Sequence, residues 1–157
     1  MRDIFAVLKA LTFSTIITGG ILLFFVLLSL AERAWGAECE HEIVAGAQVL
    51  RSDRGALVYA LKEHVVEIAS IRVQEGHKRE GHGFRLFSEM VKRHPEIRAY
   101  EALLMEDNYN AYARAWGDTC AERIHKTPIY RMGSSFGFFT ITECEETTSG
   151  VWIRVER

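Results

Sequence analysis

The sequence contains few cysteines, few prolines and no excess of positive charge. Three cysteines in 157 residues, with no CxxC spacing, exclude both a disulfide scaffold and a common type of zinc site. The formal net charge of −2 argues against a nucleic-acid-coating protein, because such domains are distinctly basic. No repeat or proline-rich linker divides the chain. These absences favour one ordinary globular domain without nucleic acid as a partner.

One long uncharged segment stands apart from this average composition. Residues 10–31, ALTFSTIITGGILLFFVLLSLA, carry no charge, and a helix of that length spans the roughly 30 Å hydrocarbon core of a bilayer. We therefore predict a membrane anchor at residues 1–36 and a folded domain at residues 37–157. A cleavable signal peptide is the alternative, with Ala34-Trp35-Gly36 as its cleavage site. The predicted localisation is a single-pass membrane protein, with the lipid bilayer as a partner.

The periodicity after residue 37 predicts a sheet flanked by two helices. Alternation and apolar runs indicate strands at 43–50, 57–61, 65–73 and 99–105, and later within 122–132, 137–143 and 151–156. Apolar residues at spacings of three and four predict a helix over 84–94. A second helix is expected to begin at Asp107 or Asn108, which are typical N-cap residues, and to end at Gly117. The predicted order is β-β-β-α-β-α-β-β-β.

The segment KREGHG, residues 78–83, lies between a predicted strand and the first of these helices. Free amides at a helix N-terminus and the positive end of the helix dipole attract phosphate. Gly81 and Gly83 would let an anion approach the backbone, and Lys78 and Arg79 add positive charge. Two glycines at such a corner are also typical of a tight turn, so the pattern alone is a weak indication.

The same segment resembles the acyl-CoA loop of the GNAT superfamily of N-acetyltransferases. In that pattern a Gln or Arg is followed by two residues, a Gly, any residue, and a Gly or Ala; here Lys78 stands in the first place and His82 in the variable one. The later segment MEDNYNAYARAWG resembles the family's second helix, with Asn108, Ala111 and Gly117 at the matching positions. The resemblance covers about residues 65–117.

This resemblance implies an α+β fold in which a mixed, mostly antiparallel sheet is flanked by helices. It also implies acetyl-CoA as co-substrate and an amine as acceptor. The fourth and fifth strands of the family separate, and the pantetheine arm bonds to the exposed edge of the fourth. The implied cofactor-binding residues are Ile71, Arg72, Val73, Lys78, Arg79, Glu80, Gly81, His82, Gly83 and Asn108.

Transfer to an amine requires a base, and Glu67 matches the position of the glutamate base in histone-type members. A carboxylate partly buried among Val65, Ile68 and Ile71 suits that role, although a strand glutamate on a wet face is the plain alternative. Tyr112 is the candidate general acid, although it lies outside the family's usual register and packing is the commoner role of such an aromatic. His77 and His82 share no helix face, so no metal is predicted.

Two other functions remain open from the sequence. A non-catalytic domain of the same fold could bind a protein partner, or an exported domain could carry a bridge between Cys120 and Cys144. The basic residues near the N-terminus weakly favour export. Acetyl-CoA is cytoplasmic, so an acetyltransferase is expected to face the cytoplasm. The identity of the acceptor cannot be read from the chain.

Overall fold

The computed structural model describes residues 39–157, which contain seven strands and four helices. The strands are β1 Glu40–Val44, β2 Ala47–Ser52, β3 Gly55–Lys62, β4 Val65–Val73, β5 Ala99–Leu104, β6 Thr140–Thr147 and β7 Gly150–Glu156. The helices are α1 His82–Arg93, α2 Glu106–Arg114, α3 Cys120–Ile124 and α4 Pro128–Ser134. Across residues 39–157, no helix combines the length and apolarity needed to cross a membrane. The segment predicted to do so, residues 10–31, lies outside the described residues, and the predicted boundary near residue 36 stays a prediction.

All seven strands form one sheet in the order β1-β2-β3-β4-β5-β7-β6. Every neighbouring pair is antiparallel except β4 and β5, which are parallel. A parallel pair requires a crossover, and α1 supplies it between β4 and β5. The predicted α+β class, with a mixed and mostly antiparallel sheet flanked by helices, is confirmed for the described part of the chain.

Helix α1 forms where the sequence pattern places it. Leu86, Phe87, Met90 and Val91 recur at helical spacing and are all buried. Gly81 precedes the helix with φ of 85°, a left-handed conformation that glycine adopts at little cost. Pro95 follows the last turn, whose C-cap is His94.

The prediction of strand within residues 122–132 is wrong, because this segment forms α3 and α4. The Thr119 hydroxyl accepts a hydrogen bond from the Glu122 amide, and the Glu122 carboxylate accepts one from the Thr119 amide. The Thr127 hydroxyl caps α4, and Pro128 follows as its first residue. These helix-start signals decide the structure of the segment although its composition is strand-like. The two helices that result are very short.

Smaller boundaries also differ from the prediction, and β6 runs from Thr140 to Thr147 rather than over 137–143. Residues 43–50 do not form one strand but contain the end of β1, a turn and the start of β2, because Ala45 and Gly46 in the turn both have positive φ. Helix α2 ends at Arg114 rather than at Gly117, and its N-cap is Met105 without a side-chain cap. The expected capping by Asp107 or Asn108 is therefore wrong.

The core lies on one face of the sheet, where the helices pack. Phe87, Tyr100 and Phe138 meet edge to face, with ring centroids 5.4–6.4 Å apart. Helix α4 approaches so closely that a Cβ on Gly133 would lie 2.6 Å from a carbon of the Tyr100 ring. A disulfide joins Cys120 of α3 to Cys144 of β6 on this same face, whereas Cys39 is free. The charged residues of the central strands are left on the opposite face.

Candidate active site

The central feature of the site is a fork between β4 and β5. The two strands pair from Val65 with Ala99 to Ile68 with Ala102. Beyond that point β4 continues beside β3 as far as Val73, while β5 continues beside β7 as far as Leu104. No described strand pairs with the β5-facing edge of residues 69–73. The separation of the fourth and fifth strands, expected from the resemblance, is therefore confirmed.

A cavity of about 670 Å³ occupies the fork, a size typical of small-molecule sites. Its lining combines the free end of β4, the loop that leads into α1, the start of α2 and part of α4. All but one of the predicted cofactor-binding residues line it: Ile71, Arg72, Val73, Lys78, Arg79, Gly81, His82, Gly83 and Asn108. The exception is Glu80, which lies in the same loop. The structure thus brings together residues that the sequence separates by up to 37 positions.

The N-terminus of α1 presents unpaired amides to this cavity. The first helical hydrogen bond runs from the Arg85 amide to the Gly81 carbonyl, at 3.0 Å, so the amides of His82, Gly83 and Phe84 have no partner within the helix. The N-cap residue, Gly81, has no side chain to cap them. The space beside Gly81 is open, since a Cβ there would meet no atom within 4 Å. This corner can hold an anion at the positive end of the helix dipole.

An ion-paired lysine crosses the mouth of the cavity. The Lys78 Nζ atom lies 3.1 Å from a carboxylate oxygen of Glu75 and 3.1 Å from one of Asp107, at the start of α2. Hydrogen bonds to these two carboxylates, that to Glu75 first, raise the pKa of Lys78. The predicted phosphate-binding lysine is thus charged and shared between two acids across the fork.

Helix α2 contributes a cation that the sequence analysis missed. Asn108, Ala111 and Arg114 follow one another at intervals of three, share a helix face and line the cavity. That spacing, starting from the predicted Asn108, was the signal for Arg114. The Asn108 side-chain oxygen accepts a hydrogen bond of 2.8 Å from the Ile129 amide, so this residue also fixes the start of α4.

Glu67 lies on β4, next to the last paired residues before the fork. Its side chain is about one-third exposed and forms an ion pair with Lys62 of β3. In the parallel pairing its neighbour is Glu101, which forms an ion pair of 2.9 Å with Arg154. Glu67 does not line the cavity itself; it points to the sheet face opposite α1.

Tyr112 is not brought to the fork. Its ring is 3% exposed and packs beneath the Arg123 guanidinium, and its hydroxyl donates a hydrogen bond to Glu146 of β6. Burial, followed by this hydrogen bond, raises the pKa of Tyr112 to about 12. Tyr112 therefore packs α2 against α3 and β6, and the geometry does not favour it as the general acid.

The loop before α1 also gathers two histidines around Glu80. His77 Nδ1 lies 3.0 Å and His82 Nε2 lies 3.3 Å from the same Glu80 oxygen. The hydrogen bond with His77 is the main cause of the lowered pKa of Glu80. The sequence spacing gave no reason to expect this contact, because residues five apart share no helix face.

Comparison with known proteins identifies a family. The profile of the acetyltransferase (GNAT) family matches residues 15–117, more than half of the chain. The match begins inside the segment predicted to be a membrane anchor and includes the fork and the loop. No curated protein matches the chain.

Several solved structures resemble the chain at low identity. The loading GNATL domain of CurA from Lyngbya majuscula is 17% identical, with a TM-score of 0.47, over 71% of this chain and 76% of that one. An aminoglycoside 6'-N-acetyltransferase complexed with coenzyme A is 12% identical, with a TM-score of 0.47, over 72% and 73%. PaiA N-acetyltransferase from Thermoplasma acidophilum, in complex with coenzyme A, is 12% identical, with a TM-score of 0.44, over 71% and 60%. The family assignment rests on the profile match.

Proposed function

The chain belongs to the acetyltransferase (GNAT) family, and from this we propose that it transfers an acetyl group from acetyl-CoA to an amine. The observation that carries the proposal is the fork between β4 and β5, with its cavity and the uncapped N-terminus of α1 at one end. A fold with these strands hydrogen-bonded along their whole length would have no room for a ligand between them.

The residues around the fork suit each part of acetyl-CoA. The amides of residues 82–84, with Lys78, Arg79 and Arg114 nearby, would hold the diphosphate. The backbone edge of Ile71–Val73 that faces away from β3 would exchange hydrogen bonds with the amides of the pantetheine arm. A free strand edge pairs with a peptide in the same way. The fit depends on the open space beside Gly81, which any side chain there would enter.

Acetyl-CoA supplies an acetyl group activated as a thioester. Only an uncharged amine attacks such a group, so the enzyme must hold a base near the acceptor. We propose Glu67 for this role, because it lies on β4 just before the strands separate. Lys62 then orients the Glu67 carboxylate until an acceptor ammonium replaces it as ion-pair partner. No residue is assigned to protonate the departing thiolate.

The proposed localisation follows from the cofactor. Residues 10–31 would anchor the chain in the bilayer, and residues 37–157 would face the cytoplasm, where acetyl-CoA is available.

The test is a thermal shift of the purified full chain with acetyl-CoA, comparing two glycine variants. Gly81 and Gly46 have nearly the same φ, 85° and 84°, and both face open space, but only Gly81 lines the cavity. At a concentration 100 times the Kd, acetyl-CoA should stabilise the wild type and Gly46→Asp by about 2.7 kcal/mol. Gly81→Asp should lose that shift. No shift in the wild type at millimolar acetyl-CoA would refute the proposal.

A second candidate function is favoured by one observation, the bridge between Cys120 and Cys144. Disulfides persist in oxidising compartments, where acetyl-CoA is scarce, so an oxidised domain would favour an exported, non-catalytic binding protein. Alkylation of thiols in intact cells, followed by mass spectrometry, distinguishes the two. Free thiols at both positions support the acetyltransferase, and a bridge with a new N-terminus near residue 37 supports the exported domain.

A further inference from the structure

The loop between β4 and α1 folds so that three metal-binding side chains converge. His77, Glu80 and His82 each offer one ligand atom, and these atoms all lie within 4.8 Å of one another. Arg79 and Gly81, on either side of Glu80, have positive φ values of 69° and 85°. These two residues reverse the direction of the backbone. This reversal explains how side chains at spacings of three and two meet without a helix.

We propose that His77, Glu80 and His82 form a binding site for a divalent transition-metal ion of the Zn²⁺ type. Two imidazole nitrogens and one carboxylate oxygen are a ligand set typical of zinc sites that keep an open position. In a tetrahedral site with metal–ligand bonds of about 2.1 Å, neighbouring ligand atoms lie roughly 3.4 Å apart. The separations from the Glu80 oxygen are 3.0 Å to His77 and 3.3 Å to His82, and all three ligand atoms lie within 4.8 Å of one another, so a bound ion would draw the side chains together.

The contacts of His77 give a second reason to place a cation here. Its Nδ1 atom lies 2.6 Å from the Arg54 guanidinium and 3.0 Å from the Glu80 oxygen. A single imidazole nitrogen cannot both accept a hydrogen bond from Arg54 and donate one to Glu80, so in either tautomer one of these two contacts lacks a hydrogen bond. A cation bound by both His77 Nδ1 and the Glu80 oxygen would satisfy both atoms. Arg54 supplies a positive charge at 3.9 Å from Glu80, and a bound metal ion would supply it more directly.

The position of the site couples it to the cavity, and this part of the inference rests on the proposed function. Glu80 lies in the loop expected to hold a diphosphate, where a lone carboxylate would repel the ligand. His77 and His82 line the cavity, and the buried Nδ1 atom of His82 has no hydrogen-bond partner among residues 39–157. A metal ion on Glu80 would reverse the local charge, and its open position suits a phosphate oxygen.

The metal site itself is tested by calorimetric titration of the metal-free full chain with Zn²⁺ at pH 7.5. We expect one ion per chain, at least tenfold weaker binding in His77→Gln and in His82→Gln, and unchanged binding in His41→Gln, an exposed histidine of β1. Arg54→Gln removes the competing cation and should bind Zn²⁺ more tightly. An absence of binding at 100 times the protein concentration, or binding unaffected by both loop variants, would overturn the proposal. Unchanged melting temperatures in the variants would show that the losses do not come from unfolding.

The coupling is tested by measuring the Kd of acetyl-CoA with Zn²⁺ and with a chelator. A Kd at least tenfold lower with Zn²⁺, lost in His82→Gln, supports the coupling. Equal values would overturn it while leaving the metal site and the proposed function intact. If acetyl-CoA binds under neither condition while Zn²⁺ binds as expected, the proposed function fails and the metal site stands.

Discussion

Two adjacent rows of residues cross the same five strands and face opposite sides of the sheet. The first row lies under the helices and consists of Tyr59, Ile68, Ala102 and Ile153, which are buried, and the half-buried Cys144. The second row, one residue away on each strand, consists of Ala60, Glu67, Glu101, Arg154 and Glu143. Because side chains alternate along a strand, one sheet separates an apolar core from a charged surface by a single residue. Substitutions in the first row should therefore change stability, and substitutions in the second row should change catalysis, independently of each other.

The largest expected effect is on the charged row, where Glu67→Gln removes the proposed base. Turnover should fall about 10²–10⁴-fold, the usual contribution of a general base. The loss should shrink as the pH rises toward the pKa of the acceptor amine, because more of the amine is then uncharged. The free energy of unfolding should change by no more than about 1 kcal/mol, since Glu67 is part of an exposed ion pair.

The matched control for this prediction is Glu143→Gln, which lies in the same row two strands away from Glu101. Steady-state rates across pH 6–9 and urea unfolding provide the measurements. A Glu67→Gln enzyme with wild-type rates, or one whose loss equals that of Glu143→Gln, would show that the charged row has no catalytic role.

A substitution on the helix-covered face should mainly change the free energy of unfolding. Tyr100 is fully buried and contacts Phe87, Phe138 and Gly133, so Tyr100→Ala leaves a large cavity. We expect a loss of about 3–5 kcal/mol in the free energy of unfolding. Tyr109→Ala, at a tyrosine that is 44% exposed, serves as the control and should cost far less. Equal urea midpoints for the two variants would refute the assignment of the core.

A third prediction concerns the disulfide at the margin of the covered face. The bridge joins residues 24 positions apart, and constraining a loop of that length contributes about 3.5 kcal/mol in the chain-entropy account. Cys120→Ser should therefore lower the melting temperature, whereas Cys39→Ser should not lower it comparably. Acetyl-CoA binding should persist in both variants at temperatures where they are folded, because the bridge is not part of the cavity. If reduction of the wild type leaves its melting temperature unchanged, the bridge does not contribute.

The local sequence pattern predicted helix α1 and the loop before it better than the later helices, and the fork was expected only from the family resemblance. Helix α1 and the loop at 78–83 were predictable because their apolar spacing and glycines are local signals. The segment that forms α3 and α4 was not recognised, although Thr119 with Glu122 and Thr127 with Pro128 are start signals for helices. The ion pairs of Lys78 and Glu67 and the convergence of His77 and His82 depend on backbone turns and strand register. No local pattern in the sequence encodes those contacts.

The smallest expected effect tests whether Tyr112 belongs to the covered face. Its folded-state pKa of about 12 lies above the ordinary value of 10, because burial and the hydrogen bond to Glu146 favour the protonated phenol. This contribution to stability is complete below pH 10 and is lost as the pH rises through 12. Burial also raises the pKa of Tyr100, so only part of the alkaline loss belongs to Tyr112. Tyr112→Phe should thus be less stable than the wild type at pH 7 but lose less stability between pH 10 and 12. Urea midpoints across that range measure the difference, and parallel curves for the two proteins would place the Tyr112 hydroxyl in solvent instead.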